Sequence, residues 1–257
     1  PSLPLLRQRW RAILLLCLTM LAWPVLAQAQ AQAPTQTPTQ TPQRFEDSMA
    51  QRMLACTACH GPQGRAAPDG YYPRLAGKPA GYLYNQLLHF RDVRRVYPLM
   101  THLLDPLSDS YLMEIAEHFA AMQAPYPAPA PVNATAEQLA RGEQLVQRGD
   151  ASRQLPACIA CHGAALTGVL PATPGLLGLP RDYLNAQLGA WRAGLRKAHA
   201  PDCMADIARR MEPTDIAAVS AWLASQRVPA DAHAVAASTT PLPQQCGSAK
   251  APTGGRP

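Results

Sequence analysis

Apolar residues recur at helical spacing between residues 45 and 228, and the pattern predicts an all-α chain. Pro79 to Val96 carries Tyr82, Leu83, Gln86, Leu87 and Phe90 at helical intervals and reads as one helix. Asp109 to Gln123 reads as a second, with Leu112, Ile115, Ala116 and Phe119 on one face and Ser108 as its N-cap. Thr135 caps a third helix, which carries Leu139, Leu145 and Val146, and a last helix is expected from Pro213. Phe45 to Met53 predicts a short helix. Gly61 to Gly77, punctuated by Gly and Pro, predicts a loop.

The pattern repeats. Tyr82-Leu83-x-x-Gln86-Leu87 is echoed by Tyr183-Leu184-x-x-Gln187-Leu188, Phe90-Arg91 by Trp191-Arg192, and Pro73-x-x-x-Gly77 by Pro174-x-x-x-Gly178. Two copies of one unit are expected. Their expected bounds are 45–124 and 135–228, joined by a Pro-rich linker over 125–134. Within it, APYPAPAP (124–131) reads as a semi-rigid polyproline spacer.

The flanks differ from these units. Residues 1–33 combine Arg7, Arg9 and Arg11 with an apolar run of about 16 residues, short of the roughly 20 that span a bilayer. A cleaved secretory signal and a retained membrane anchor are both open. Residues 34–44 belong to a Gln/Thr/Pro tract that reads as a disordered tether. Residues 229–257 form a Pro/Ala-rich tail.

The formal charge is +6, with 23 basic and 17 acidic residues. Without the three leader arginines the balance falls to 20 against 17, which excludes a nucleic-acid footprint. With only 3 Phe, some of the aromatic core is expected from a bound group.

Chemistry enters with Cys56-Thr57-Ala58-Cys59-His60 and its echo Cys158-Ile159-Ala160-Cys161-His162. Each is C-x-x-C-H, the attachment signature of c-type haem. On a helix, positions i, i+3 and i+4 share a face, so two thiols and one imidazole converge on one flat ring. The expected cofactors are two covalent haem c groups, held through Cys56, Cys59, Cys158 and Cys161, with His60 and His162 on iron. A redox dithiol would need no adjacent His, and zinc would need a second Cys pair nearby.

One His per iron leaves a position for a second ligand. Met100 lies 44 residues after Cys56 and Met204 lies 46 after Cys158. They stand seven residues before Leu107 and Met211, and that shared offset selects Met204 over Met211. A thioether there raises the potential and suits an electron carrier. The alternatives are core methionines and, in the first copy, His102. Two further cysteines, Cys203 and Cys246, remain once Cys17 is discounted with the leader. In an oxidising compartment they are expected to pair. His89, His118, His199 and His233 read as surface groups or as groups behind the ligands.

CTACHG, YPRLAG, YLYNQL, LMTHLLDPLSD and IAEHF make residues 45–228 resemble the diheme cytochrome c4 family, the second copy more loosely. The resemblance implies two tandem class-I cytochrome c domains in the periplasm, with methionines at the positions of Met100 and Met204 as axial ligands. It also implies that carbonyls at Pro73 and Pro174 accept the ligand-histidine hydrogen bonds. Arg91, Arg95, Arg192 and Arg196 read either as solvated helix charges or, for half of them, as partners of the haem carboxylates, with Arg91 and Arg192 the candidates for that role. The implied function is electron transport, without catalysis of its own, from a quinol-oxidising complex to a terminal oxidase. A subunit of a periplasmic dehydrogenase complex and a diheme peroxidase stand as alternatives. No nucleic-acid partner is expected, and membrane association rests on the N-terminal segment alone.

Overall fold

The computed structural model describes residues 46–67 and 70–250. The signal or anchor reading of 1–33 and the tether reading of 34–44 lie outside the described residues. Among those described, no helix is long and apolar enough to cross a membrane.

The first copy begins with α1 (Met49–Arg52) and α2 (Leu54–His60), where one continuous helix to Met53 was expected. Ser48 caps α1 by accepting from the Gln51 amide, and Met53 is the hinge between the two. Then come α3 (Ala80–Arg91), α4 (Pro98–Leu104) and α5 (Asp109–Ala120). Helix α3 stops five residues short of the expected end. Asp92 closes it, and Val93 takes a left-handed φ of 55°, a conformation a β-branched residue cannot propagate into a helix. The apolar faces of α3 and α5 meet in a core of Met53, Leu83, Tyr84, Leu104, Leu112, Ile115 and Phe119.

The second copy comprises α6 (Ala136–Gln147), α7 (Ile159–His162), α8 (Arg181–Arg192), α9 (Cys203–Arg210) and α10 (Pro213–Ser225). A two-residue hairpin, β1 (Gly168–Val169) and β2 (Thr173–Pro174), is the described sheet and was not expected. Helices α6 and α10 cross so closely that a Cβ on Gly142 would stand 2.3 Å from the Ala218 carbonyl oxygen. Arg141 on α6 pairs with Asp215 on α10 at 3.0 Å and with Asp150 at 2.9 Å. Arg153 completes the ring to Asp215 at 2.6 Å. The separate apolar core holds Leu145, Val146, Leu184, Ile216, Val219 and Leu223.

Residues 122–135 contain neither helix nor strand, yet the proline-rich segment is clamped. Arg74 donates to the carbonyls of Ala124 and Pro125 and lies 3.7 Å from the Tyr126 ring centroid. Tyr126 in turn lies over Gly178, where an added Cβ would come within 2.4 Å of the ring. A residue of each copy thus grips the connector.

The tail folds back. Val235 bonds main chain beside the hairpin, its carbonyl accepting from the Leu170 amide at 2.8 Å and its amide donating to the Gly168 carbonyl at 3.0 Å. Cys203 and Cys246 form a disulfide with Cα atoms 5.0 Å apart. Gly247 donates to the Pro201 carbonyl, and Asn85 of the first copy donates to the Ser248 carbonyl at 3.3 Å.

Candidate functional site

Helices α2 and α7 each end on the histidine of C-x-x-C-H. Their helical registers set both cysteines beside it, and a glycine in a left-handed conformation turns the chain immediately after. Gly61 has φ 75°, and a Cβ there would strike the Ala66 carbonyl oxygen at 2.3 Å. Gly163 has φ 84°. The turns bring a proline carbonyl back onto each imidazole. His60 Nδ1 donates to the Pro73 carbonyl at 2.8 Å, and His162 Nδ1 donates to the Pro174 carbonyl at 2.7 Å. A carbonyl can only accept, so Nδ1 carries the proton and Nε2 is left with its lone pair. Burial holds both histidines below the usual imidazole range, which keeps that lone pair available near neutral pH.

The four motif thiols are free and partly buried. Burial raises the Cys56 thiol, with Cys59 adding to the effect, and pushes Cys158 up to about 12. At Cys56 and Cys158 burial thus favours the neutral thiol over the thiolate that a redox dithiol would use.

Met100 lies on α4 and Met204 on α9, both short helices. Pro98 begins α4, and the Thr101 hydroxyl ties it to the Phe90 carbonyl of α3 at 2.8 Å. Asp202 caps α9 by accepting from the Ala205 amide at 3.0 Å. Cys203, through its disulfide and its carbonyl bond from Gln244 at 2.9 Å, holds the same end. Met100 and Cys56 pack on one core in the first copy. In the second, Cys158, Cys161, His162, Pro174 and Met204 line one apolar cavity.

Arg91 and Arg192 occupy matching places. Arg91 donates to the Leu107 carbonyl at 3.1 Å and pairs with Asp109 at 2.6 Å. Arg192 donates to the carbonyls of Met211 and Arg209. Leu107 and Met211 are the two repeat-related residues that follow the methionine helices, so each arginine braces the chain leaving its methionine. His102 shares α4 with Met100. His89, read as a surface group or a group behind the ligands, is 1% exposed with Nε2 unpartnered, its ring centroid 4.7 Å from that of His199.

The donor set fits c-type haem: paired neutral thiols for thioether formation, an imidazole with a fixed tautomer, a thioether sulfur and an apolar enclosure. The sequence foresaw these residue types. It did not reveal Lys78 in the second cavity, because Lys78 comes from the other copy.

The cytochrome c family pattern matches residues 139–227. Over 173 residues the chain is 39% identical to a thiosulfate dehydrogenase electron acceptor of Thiomonas intermedia, covering 67% of this chain and 78% of that protein. The crystal structure of reduced cytochrome c4 from Pseudomonas stutzeri superposes with a TM-score of 0.60 at 30% identity, covering 68% of this chain and 95% of that one. Thiosulfate dehydrogenase TsdBA of Marichromatium purpuratum superposes with a TM-score of 0.61 at 31% identity over 68% of this chain, which spans 37% of that protein's length.

Proposed function

The chain belongs to the diheme cytochrome c4-like family, and on that footing we propose that this diheme electron carrier takes electrons from a periplasmic dehydrogenase of the thiosulfate-oxidising kind. The observation that carries the electron-transfer role is the second cavity. There an imidazole with its tautomer fixed by the Pro174 carbonyl and the Met204 thioether face one apolar space that the two motif thiols also line. The bound haem supplies a one-electron couple at iron.

The chain's own part is to hold that couple. Cys56 and Cys59, and Cys158 and Cys161, anchor it. His60 and Met100, and His162 and Met204, are assigned as the ligand pairs. Pro73 and Pro174 orient the imidazoles, and Arg91 and Arg192 hold the chain that follows each methionine. A methionine assigned to each copy leaves no open iron position, which weighs against the peroxidase reading. Thioether ligation favours the reduced state and suits acceptance of an electron.

The donor assignment rests on identity to an electron acceptor of a dehydrogenase. Transfer from a quinol-oxidising complex to a terminal oxidase is the second reading, favoured by the cytochrome c4 likeness. Periplasmic location belongs to both. The deciding experiment is rapid mixing of oxidised protein with thiosulfate and a catalytic amount of thiosulfate dehydrogenase. Reduction of both haems only when the enzyme is present is expected. Absence of enzyme-dependent reduction, with rapid reduction by a quinol-oxidising complex, would favour the second reading.

A further inference from the structure

The second cavity holds side chains that the attachment and ligation roles do not use. Lys78 belongs to the first copy but lines the cavity of the second, alongside Cys158 and His162. It is 8% exposed. No carboxylate of the described residues lies within ion-pair distance of it, and its side chain makes no hydrogen bond among them. The groups acting on it are Tyr183, Arg74 and His162. Burial lowers its pKa to about 8, so it is still charged at neutral pH.

Trp191, in the last turn of α8, lines the same cavity, and its Nε1–H is buried without an acceptor. The Arg196 guanidinium, 3% exposed, lies 3.7 Å from the Trp191 ring centroid. Its acceptors are the neutral oxygens of Gln86, Gln187 and Tyr82. Lys78, Trp191 and Arg196 therefore line one cavity, whose one acidic lining residue, Asp202, is already engaged by the Ala198 and Ala205 amides.

Unpaired donors in an apolar interior are costly. Their presence is accounted for when the group that fills the cavity brings negatively charged oxygens, and a haem carries two carboxylates. The repeat sharpens the point. The residue matching Lys78 is Leu179 and the one matching Trp191 is Phe90, neither with a polar donor.

Resting on the two-haem reading, we propose that Lys78 and Trp191 form a carboxylate-binding corner for the second haem alone, part of it supplied by the first copy, that raises the second haem's reduction potential. A cation and a hydrogen-bond donor beside the haem carboxylates offset negative charge near the iron, which favours the ferrous state. The corner makes the two haems unequal and couples the potential of one to a side chain of the other's domain.

The test is a spectroelectrochemical titration of the intact diheme protein with Lys78→Leu, Lys78→Gln, Lys78→Arg and Trp191→Phe. The Leu and Phe variants install the residues that the matching positions already carry. The two waves are told apart by Met100→Ala, which moves the first haem's. Lys78→Leu, Lys78→Gln and Trp191→Phe are expected to lower the second haem's ferrous-to-ferric ratio at fixed potential by about threefold to tenfold, tenfold being about 59 mV for one electron. The first wave should stay in place, and Lys78→Arg should keep most of the wild-type value. Unchanged waves in all variants, or movement of the first wave instead, would overturn the inference while leaving the two-haem carrier intact. A total amplitude of one electron per chain in the unaltered protein would overturn both.

Discussion

Arg95 and Arg196 exchange partners across the line between the two copies. Arg95 reaches Gln187 Oε1 at 2.6 Å and the Tyr183 hydroxyl at 3.1 Å, while Arg196 reaches Gln86 Oε1 at 2.8 Å and the Tyr82 hydroxyl at 3.4 Å. Each also bonds the glutamine of its own copy, at 3.1 Å and 2.7 Å. Gln86 and Gln187 are thus shared acceptors, and Val96 N to Leu195 O and Lys197 N to Arg94 O add main-chain bonds beside them. The repeated sequence Tyr-Leu-x-x-Gln-Leu makes this nearly two-fold arrangement available.

Because the arginines share acceptors, their removal should not be additive. Arg95→Ala and Arg196→Ala are each expected to cost about 2 kcal/mol, and the double variant about 1 kcal/mol more than the sum, because only the double loss leaves both glutamine oxygens without a donor. Denaturant unfolding of the four proteins checks this, and strict additivity would mean the two sides act independently.

Gly142 is expected to reject a methyl group. Its Cβ position falls 2.3 Å from the Ala218 carbonyl oxygen and 2.7 Å from Trp222 Cβ, neither of which is the end of a flexible side chain. Gly142→Ala should lower stability by about 2–3 kcal/mol despite alanine's better helix propensity. Thermal unfolding would show it, and an unchanged Tm would mean α6 and α10 can part without cost.

His89 predicts an acid-sensitive stability. Burial, then His199, Arg196, Arg94 and Arg95, lower its pKa to about 3, against an unfolded value near 6.5. The unfolded chain therefore takes up the proton first. The contribution is complete above about pH 6.5 and is lost as pH falls towards 3, by at most about 1.4 kcal/mol per pH unit. His89→Gln should flatten the slope between pH 6.5 and 4.5, a window above the usual carboxylate range. Urea unfolding across that window measures it, and an identical slope in the variant would assign the effect elsewhere.

The Cys203–Cys246 bridge, spanning 43 residues, is expected to add about 2–4 kcal/mol. It also secures the N-terminal end of the helix that carries Met204. Cys246→Ser should lower stability by that amount and weaken the second iron's hold on its methionine, read as faster carbon monoxide binding to the ferrous protein. Unchanged binding would limit the bridge to stability.

Much of this was legible locally. Ser108 and Thr135 sit where caps belong, and both accept from the amide three residues on. The C-x-x-C-H motifs and the offset that pairs Met100 with Met204 need only sequence. The methionine helices escaped notice because seven or eight residues give too few turns for periodicity to register, although Pro98 and Asp202 mark their starts. Their signal is the cap and not the stripe. The overlong reading of α3 failed because Val93 leaves the helical region for tertiary reasons that its apolar side chain does not announce. Contacts between the copies were illegible for a deeper reason. Lys78, Arg74 and Arg196 look like surface charges in sequence; the cavity of the other copy takes Lys78, the connector takes Arg74, and Gln86 and Tyr82 of the other copy take Arg196.

The central claim is that each copy holds one haem iron between a histidine and a methionine and carries one electron. It is tested most directly by a spectroelectrochemical titration of the purified protein beside Met100→Ala and Met204→Ala. Two one-electron waves per chain are expected, with each variant moving a different wave to lower potential because the thioether favours ferrous iron. A total amplitude of one electron per chain in the unaltered protein, or a variant that leaves the titration where it was, would contradict it.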